Sequence, residues 1–293
     1  RIISCSKMLL GAAALALAVP QVAWAQYTLN VRDADVRAFV ADAANRARHG
    51  DRVTFASNQH INPTNVCVLR KTCVFCGYAR LPKEDGAYRY SLEQVLAESD
   101  RADGSITREF HIVGGLDMEA GLEYYQTMFR ALKARHPQVH IKALTAVEIA
   151  HIARIEKMSR KDVLIALREA GLDTLPGGGA ETFSAAVRDV IADKKLGGAE
   201  YIEVHRTAHQ LGIRSNCTML YGHVESLEDR MQHLNMLREL QDETGGFLAY
   251  IPLAYHPDDN ELGKTLGREG TATTGFDDLR NLAVGRLFLD NFK

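Results

Sequence analysis

The sequence predicts an α/β fold, six parallel strands forming a partial (β/α)6 barrel with helices on its outside. Three observations predict it. Short apolar runs alternate with amphipathic segments six times along the chain, the pattern of βαβ units. Parallel crossovers wind in one hand, so six in succession curl a sheet towards a barrel. Several of the apolar runs also end in glycine or polar residues, at 114–115, 145–148, 176–179 and 221–223. Strand C-termini form the catalytic face of a β/α barrel, although glycine at a strand end is also ordinary turn chemistry.

The elements follow in order. Strands are expected over 60–67, 109–113, 139–146, 173–175, 214–221 and 247–254, each a short run of apolar and β-branched residues. Between and after them, apolar residues recur at helical spacing over 91–101, 121–135, 161–170, 183–193, 199–211 and 227–243. No later stretch reaches the ~18 apolar residues of a membrane span.

The 293 residues can bury the core of one large domain or two ordinary ones. With 46% hydrophobic and 25% charged residues the chain reads as globular and not disordered. Lys and Arg number 35 against 37 Asp and Glu, and a net charge of −2 gives no footprint for nucleic acid. The N-terminus reads differently from the rest. Arg1 and Lys7 precede the apolar run 8–19, then Pro20 and Ala23-Trp24-Ala25, the layout of a secretory signal peptide over residues 1–25. A buried Ala/Leu helix is the plainer reading. Residues 26–45 are left unassigned, and 46–293 are expected to form the catalytic core.

Five cysteines are too few for a disulfide scaffold. Three of them, Cys67, Cys73 and Cys76, lie on one loop with C-x5-C-x2-C spacing, directly after the first expected strand. Soft thiolates select iron–sulfur clusters, zinc or copper. A closed structural zinc site wants four ligands, and no fourth Cys is near. His60 precedes the loop, on a strand that carries it away. On spacing alone a [4Fe–4S] cluster, zinc, a redox dithiol and buried thiols all remain open. Three thiolates where a cluster normally takes four would leave one iron free for a small molecule.

The loop resembles that of radical S-adenosylmethionine enzymes, whose common pattern is C-x3-C-x2-C with an aromatic residue before the last Cys. Phe75 fills the aromatic position, and two extra residues separate Cys67 from Cys73. From about residue 46 to Lys293 the chain is similar to the aminofutalosine synthases of menaquinone biosynthesis. The resemblance runs in order through His60-Ile61-Asn62-Pro63-Thr64-Asn65, His111-Ile112-Val113-Gly114-Gly115-Leu116, Leu175-Pro176-Gly177-Gly178-Gly179-Ala180-Glu181 and Thr218-Met219-Leu220-Tyr221-Gly222-His223. Members of the family continue past the position of Lys293, so a composite or C-terminally truncated chain is expected. Residues 26–37 resemble instead the mature start of type II secretion secretins.

The resemblance implies a radical SAM fold and two cofactors. Cys67, Cys73 and Cys76 would hold a [4Fe–4S] cluster whose open iron chelates S-adenosyl-L-methionine. Gly114 and Gly115 would contact its methionine end, Phe75 would lie near the adenine, and Glu181 would bind its amine or ribose. Glu148 and Thr145, read at the end of the third strand, are further cofactor or substrate candidates; Asn216, Tyr221 and His223 face substrate or core. No general acid or base emerges. The implied reaction adds the 5′-deoxyadenosyl radical to the enol carbon of 3-[(1-carboxyvinyl)oxy]benzoate. Rearrangement and loss of the carboxyl group give 6-amino-6-deoxyfutalosine, with S-adenosylmethionine consumed as a substrate. The implied partners are this small molecule and an electron donor such as flavodoxin or ferredoxin, with neither nucleic acid nor membrane. The implied compartment is the cytoplasm, in conflict with the signal-like start. Sibling readings are dehypoxanthine futalosine cyclase and deazaflavin synthase. From other classes, a zinc-binding structural domain or a secretion-system fragment are the rivals. His205 and His209 lack the Glu of an H-E-x-x-H site and read as packing residues, and Cys217 as a buried small hydrophobe.

Overall fold

The structure, a computed structural model, describes residues 34–52, 54–267 and 273–292. The signal-like segment 1–25 lies outside the described residues. Six parallel strands form one sheet in the order β1 to β6, each neighbour joined by a crossover: β1 (Asn58–Ile61), β2 (Glu109–Ile112), β3 (His140–Ala143), β4 (Thr174–Leu175), β5 (Arg214–Tyr221) and β6 (Phe247–Ala254). The sequential order and constant parallel direction make the half-barrel that the alternating pattern predicts.

The helices are α1 (Ala34–His49), α2 (Leu92–Ser99), α3 (Leu122–Arg135), α4 (Ala146–Glu156), α5 (Arg160–Glu169), α6 (Ala185–Ile191), α7 (Gly198–Gln210), α8 (Leu227–Thr244), α9 (Glu261–Leu266) and α10 (Gly275–Phe288). Several start on side-chain caps that satisfy the free N–H groups of the first turn. Capping boxes pair Ser91 with Gln94, Thr145 with Glu148, and Ser226 with Asp229. α8 ends at Gly245, whose φ of 60° is the left-handed cap that glycine adopts freely.

The sheet buries one face against these helices. Phe110, Ile112, Ile141, Ala143, Leu175 and Phe247 join Phe129, Leu164, Tyr201 and Leu237 in one apolar core. The alternate residues of the strands point the other way, into the half-barrel. A second, smaller apolar cluster lies under the cysteine loop, where Cys73, Ile191, Leu220, Tyr255 and Leu262 meet, with Phe75 packed against them.

Two boundaries differ from the expected ones for local reasons. β1 stops at Ile61 and not at residue 67, because Pro63 has no N–H to donate to a ladder. β3 stops at Ala143; Leu144 turns the chain at a φ of 63° and Thr145 caps α4. Residues 146–148, expected to close or follow a strand, are the first turn of that helix. α1 was not anticipated. It crosses residue 46 and meets α10, where Arg286 donates to Asn45 Oδ1 at 2.8 Å. Among the described residues no helix is long and apolar enough to cross a membrane.

Candidate functional site

The cysteine loop is fixed from three directions. Upstream, residues 63–67 are extended but pair with the chain at 80–90 instead of continuing β1. Tyr90 donates to Pro63 O at 2.8 Å, Arg80 to Asn65 O at 2.8 Å, and Cys67 to Arg80 O at 2.8 Å. The Asn65 side chain closes the same seam, accepting from Tyr88 N at 2.8 Å and donating to Gly86 O at 2.9 Å. Within the loop, Cys73 N reaches Leu69 O at 2.9 Å and Cys76 N reaches Cys73 O at 3.1 Å. Downstream, Val74 N donates to Ile191 O at 3.0 Å and its carbonyl accepts from Leu262 N at 2.9 Å.

The loop after β2 supports this seam. Gly115 N donates to Thr64 O at 2.8 Å and Val68 N to Leu116 O at 3.0 Å. A Cβ on Gly115 would overlap the carbonyl of Val66, and one on Gly114 would lie 3.0 Å from Thr64 O. The two glycines therefore let the cysteine-bearing strand cross the end of β2. Asp117, buried, locks the crossing. Arg89 holds its carboxylate with two nitrogens at 2.6 and 2.9 Å, and Thr64 Oγ1 donates to it at 3.1 Å.

Glu148 stands beside this crossing, in the first turn of α4. Its Oε1 accepts from Gly114 N at 2.9 Å and its Oε2 from Thr145 N at 2.7 Å. Burial raises its pKa to about 7 against the pull of these N–H groups. Both carboxylate oxygens thus engage backbone, joining the ends of β2 and β3.

The loop after β4 brings Glu181 in from the other side. Gly177 takes a φ of 79°, and its Cβ would overlap the Asn216 carbonyl, so only glycine fits where this loop crosses β5. Tyr201 and Thr218 both donate to Gly177 O, at 2.6 and 3.0 Å. Glu181 itself has a φ of 50°. Its carbonyl accepts from Leu220 N at 2.8 Å, and its carboxylate meets Lys195 Nζ at 2.5 Å. Arg188 binds the segment together, donating to Ala180 O at 2.8 Å, Thr182 O at 3.0 Å and Lys195 O at 3.2 Å.

Lys195 was not anticipated, and it joins the two halves of the site. Its ammonium lies 5.3 Å from the centroid of the Phe75 ring, a cation–π distance. Burial works to strip its proton, but Glu181 and Cys73 outweigh that and hold its pKa above the usual lysine value. Burial pushes the Cys73 thiol up to about 11; Lys195 opposes this, while Glu181, Cys67 and Cys76 add to it. Cys67, Cys73, Cys76, Phe75, Lys195 and Glu181 therefore share one neighbourhood. Nothing in the sequence separates Lys195 from Lys194, or Arg188 from a surface arginine; only folding buries them.

The other expected residues are engaged elsewhere. Tyr221 donates to Asp278 Oδ1 at 2.7 Å, towards α10. His223 Nδ1 accepts from Val224 N at 2.8 Å and its Nε2 meets Leu220 O at 3.2 Å. His205 and His209 both bond the Ser215 hydroxyl, at 2.8 and 2.9 Å, fastening α7 to β5 as packing residues do. Cys217 is buried in the main core.

The residues fit a [4Fe–4S] cluster by the chemistry of the donor set. Cys67, Cys73 and Cys76 are free thiols on one pinned loop. Among the described residues no three His, Cys, Asp or Glu side chains converge as a single metal ion would require. A cluster places its thiolates on different irons and needs no such convergence. A polar cavity of about 420 Å³ opens beside Cys76, between Arg70, Arg80, Glu84, Asn260 and Lys264.

Comparison with known proteins agrees. The family described as the Radical SAM superfamily matches residues 61–237. Aminodeoxyfutalosine synthase of Thermus thermophilus is 46% identical over 254 residues, 86% of this chain and 67% of that protein. The 5-amino-6-(D-ribitylamino)uracil–L-tyrosine 4-hydroxyphenyl transferase 1 of Methanosarcina acetivorans is 40% identical over 239 residues, 81% of this chain and 62% of that one. The chain spans about two thirds of the length of the curated relatives it matches. The crystal structure of methylornithine synthase shares the fold at a TM-score of 0.68 and 17% identity, covering 88% of this chain and 69% of that one. The chain belongs to the radical SAM superfamily and is an enzyme of that type, served by a [4Fe–4S] cluster and S-adenosylmethionine.

Proposed function

We propose that this chain is the catalytic core of an aminofutalosine synthase, which transfers the 5′-deoxyadenosyl group of S-adenosylmethionine to 3-[(1-carboxyvinyl)oxy]benzoate, releasing methionine and one carboxyl group, to give 6-amino-6-deoxyfutalosine in menaquinone biosynthesis. The observation that carries this reading is the 46% identity to the Thermus thermophilus aminodeoxyfutalosine synthase over 86% of the chain. Cys67, Cys73 and Cys76 are the cluster ligands, on the loop that three neighbouring segments hold in place. When bound, the cluster and S-adenosylmethionine supply one-electron chemistry that no side chain offers.

The chain's own residues bind and orient. Glu181 accepts the cofactor's amine or ribose hydroxyl, with its carboxylate positioned by the ion pair to Lys195. Phe75 lies against the adenine. Gly114 and Gly115 leave the end of β2 open to the methionine end, and Glu148 acts on that site by holding Gly114 N and Thr145 N. The enzyme works in the cytoplasm, takes its electron from a flavodoxin or ferredoxin, and owes nothing of its catalysis to residues 1–44.

The second reading is the tyrosine hydroxyphenyl transferase of deazaflavin synthesis, favoured by the 40% identity to the Methanosarcina acetivorans enzyme. Anaerobically reconstituted protein is offered each substrate set with S-adenosylmethionine and a reductant. Mass spectrometry should find aminodeoxyfutalosine from the carboxyvinyloxybenzoate and no adduct from tyrosine with the diaminouracil. The reverse pattern establishes the second reading.

A further inference from the structure

The inner face of the half-barrel carries a group of polar side chains that no role described above uses. In-register pairing aligns His60, His111, Lys142 and Thr174 on one row across β1 to β4. Their sequence neighbours Ile61, Phe110, Ile112, Ile141, Ala143 and Leu175 fill the helix-side core. Alternation therefore turns the row inward. The His60 and His111 rings stack with centroids 4.6 Å apart and 11° between their planes. Lys142 Nζ lies 2.7 Å from Glu109 Oε2, with both side chains largely buried. His140 Nε2 meets Thr174 Oγ1 at 2.7 Å.

Two features set the stacked pair apart. Buried and half-buried imidazoles elsewhere in the chain have hydrogen-bond partners, as polar groups in a protein interior normally do. His205, His209, His223 and His233 all bond a hydroxyl or a carbonyl. His60 is exposed and His111 half-buried, both are open at their ring nitrogens, and neither makes a hydrogen bond among the described residues; their contact is with each other. Second, Lys142 has three N–H donors, and its ion pair with Glu109 uses one. Imidazole N–H groups and a partly used ammonium thus meet at one place. Burial and the adjacent His60 bring the pKa of His111 down to about 4, so the ring offers a neutral N–H. The row lies three residues below Gly114, about 10 Å along a strand. A meta-substituted benzoate is somewhat shorter, about 7 Å from its ring carboxylate to its enol carbon, and so fits between this row and the strand ends.

We propose that the stacked His60–His111 pair, with Lys142 beside it, is the subsite that receives the ring carboxylate of an aromatic acid substrate. The imidazoles donate to the carboxylate oxygens, and their stacked faces sit against the substrate ring. Lys142 shares its charge between Glu109 and the incoming carboxylate. The subsite fixes the depth at which the substrate's side chain meets the cofactor at the strand ends, and it distinguishes an acid from a neutral aromatic compound. This rests on the aminofutalosine synthase reading of the same site.

The test compares wild type with His60→Ala/His111→Ala and with the milder pair His60→Asn/His111→Gln, all reconstituted with cluster. Calorimetry measures binding of 3-[(1-carboxyvinyl)oxy]benzoate, of its ring-benzamide analogue and of S-adenosylmethionine. Wild type should prefer the acid over the amide by about tenfold or more, the value of a charge-assisted hydrogen bond. The Ala pair should lose that preference while its cluster spectrum and S-adenosylmethionine affinity stay as in wild type. The Asn/Gln pair, which keeps donors, should fall between and serves if the Ala pair misfolds. Lys142→Met should weaken the acid and leave the amide unchanged. Equal binding of acid and amide by wild type, or an unchanged preference in the variants, overturns the subsite. Product formation in the same samples separates the two readings. Acid binding that depends on the histidines but yields no aminodeoxyfutalosine refutes the synthase assignment and keeps the subsite. Product formed equally well by all variants refutes the subsite and keeps the assignment.

Discussion

Replacing Lys195 by Met removes the cation from the centre of the site. Its partner Glu181 has a side chain 10% exposed, 2.5 Å from the ammonium, which is itself 14% exposed. At an effective dielectric constant of 20 the bare attraction at that distance is about 7 kcal/mol. Much of it offsets the hydration both groups give up on burial. What a single substitution measures is the charge left behind, and stranding one member of a buried pair costs about 3–5 kcal/mol. Lys195→Met and Glu181→Gln should each lower stability by that order. The double variant strands neither charge and should be more stable than Lys195→Met, with a coupling of at least about 2 kcal/mol in the double-mutant cycle. Urea unfolding followed by circular dichroism reads all four proteins. If Lys195→Met unfolds at the wild-type urea concentration, or if the two losses simply add, the pair is not the strut that joins the Glu181 loop to the cysteine loop.

The remaining predictions concern stability, backbone and cofactor. His205 and His233 are fully buried, and burial lowers both to about 3. Their folded pKa values lie below the unfolded ~6.5, so their contribution is complete above pH ~6.5 and is lost as pH falls towards 3. Between pH 7 and pH 5 the two together should cost on the order of 4 kcal/mol, read as a falling urea midpoint; a flat midpoint over that range contradicts their burial as neutral rings. Gly115→Ala should destabilise by at least about 1–3 kcal/mol, the range for overpacking, because its Cβ meets the Val66 backbone. Gly178→Ala, whose Cβ meets only Thr145 Cγ2 at 3.1 Å, should melt close to wild type; equal melting of the two variants would refute the crossing. Glu181→Ala should weaken S-adenosylmethionine binding about tenfold to a hundredfold with the cluster intact, and an unchanged Kd would leave Glu181 a purely structural role.

The fold was legible where local pattern and tertiary environment agree. β5 is buried along nearly its whole length and β6 is anchored by the buried Phe247, and the structure keeps the expected bounds of both. α4 was missed because Ala146, Val147, Ile149 and Ile152 are all buried. An apolar run of that kind reads as strand when periodicity alone decides. The signal that identifies it is the Thr145–Glu148 capping box. The same box explains Glu148, whose carboxylate closes a helix start and a strand end together. The cysteine loop announced itself by spacing and composition. Its partners did not, since Lys195 and Arg188 acquire their surroundings from a crossover more than a hundred residues downstream of Cys73. The stacking of His60 on His111 likewise follows from strand register, which no local pattern records.

The most direct test counts iron and acid-labile sulfide per chain after anaerobic reconstitution, in wild type and in Cys73→Ala. Three thiolates on one pinned loop predict about four irons and four sulfides in the wild type, and a large loss of both in the variant together with all S-adenosylmethionine cleavage. Zinc without sulfide in the wild type, or a full cluster and wild-type cleavage in Cys73→Ala, would contradict the assignment of Cys67, Cys73 and Cys76 as the ligands.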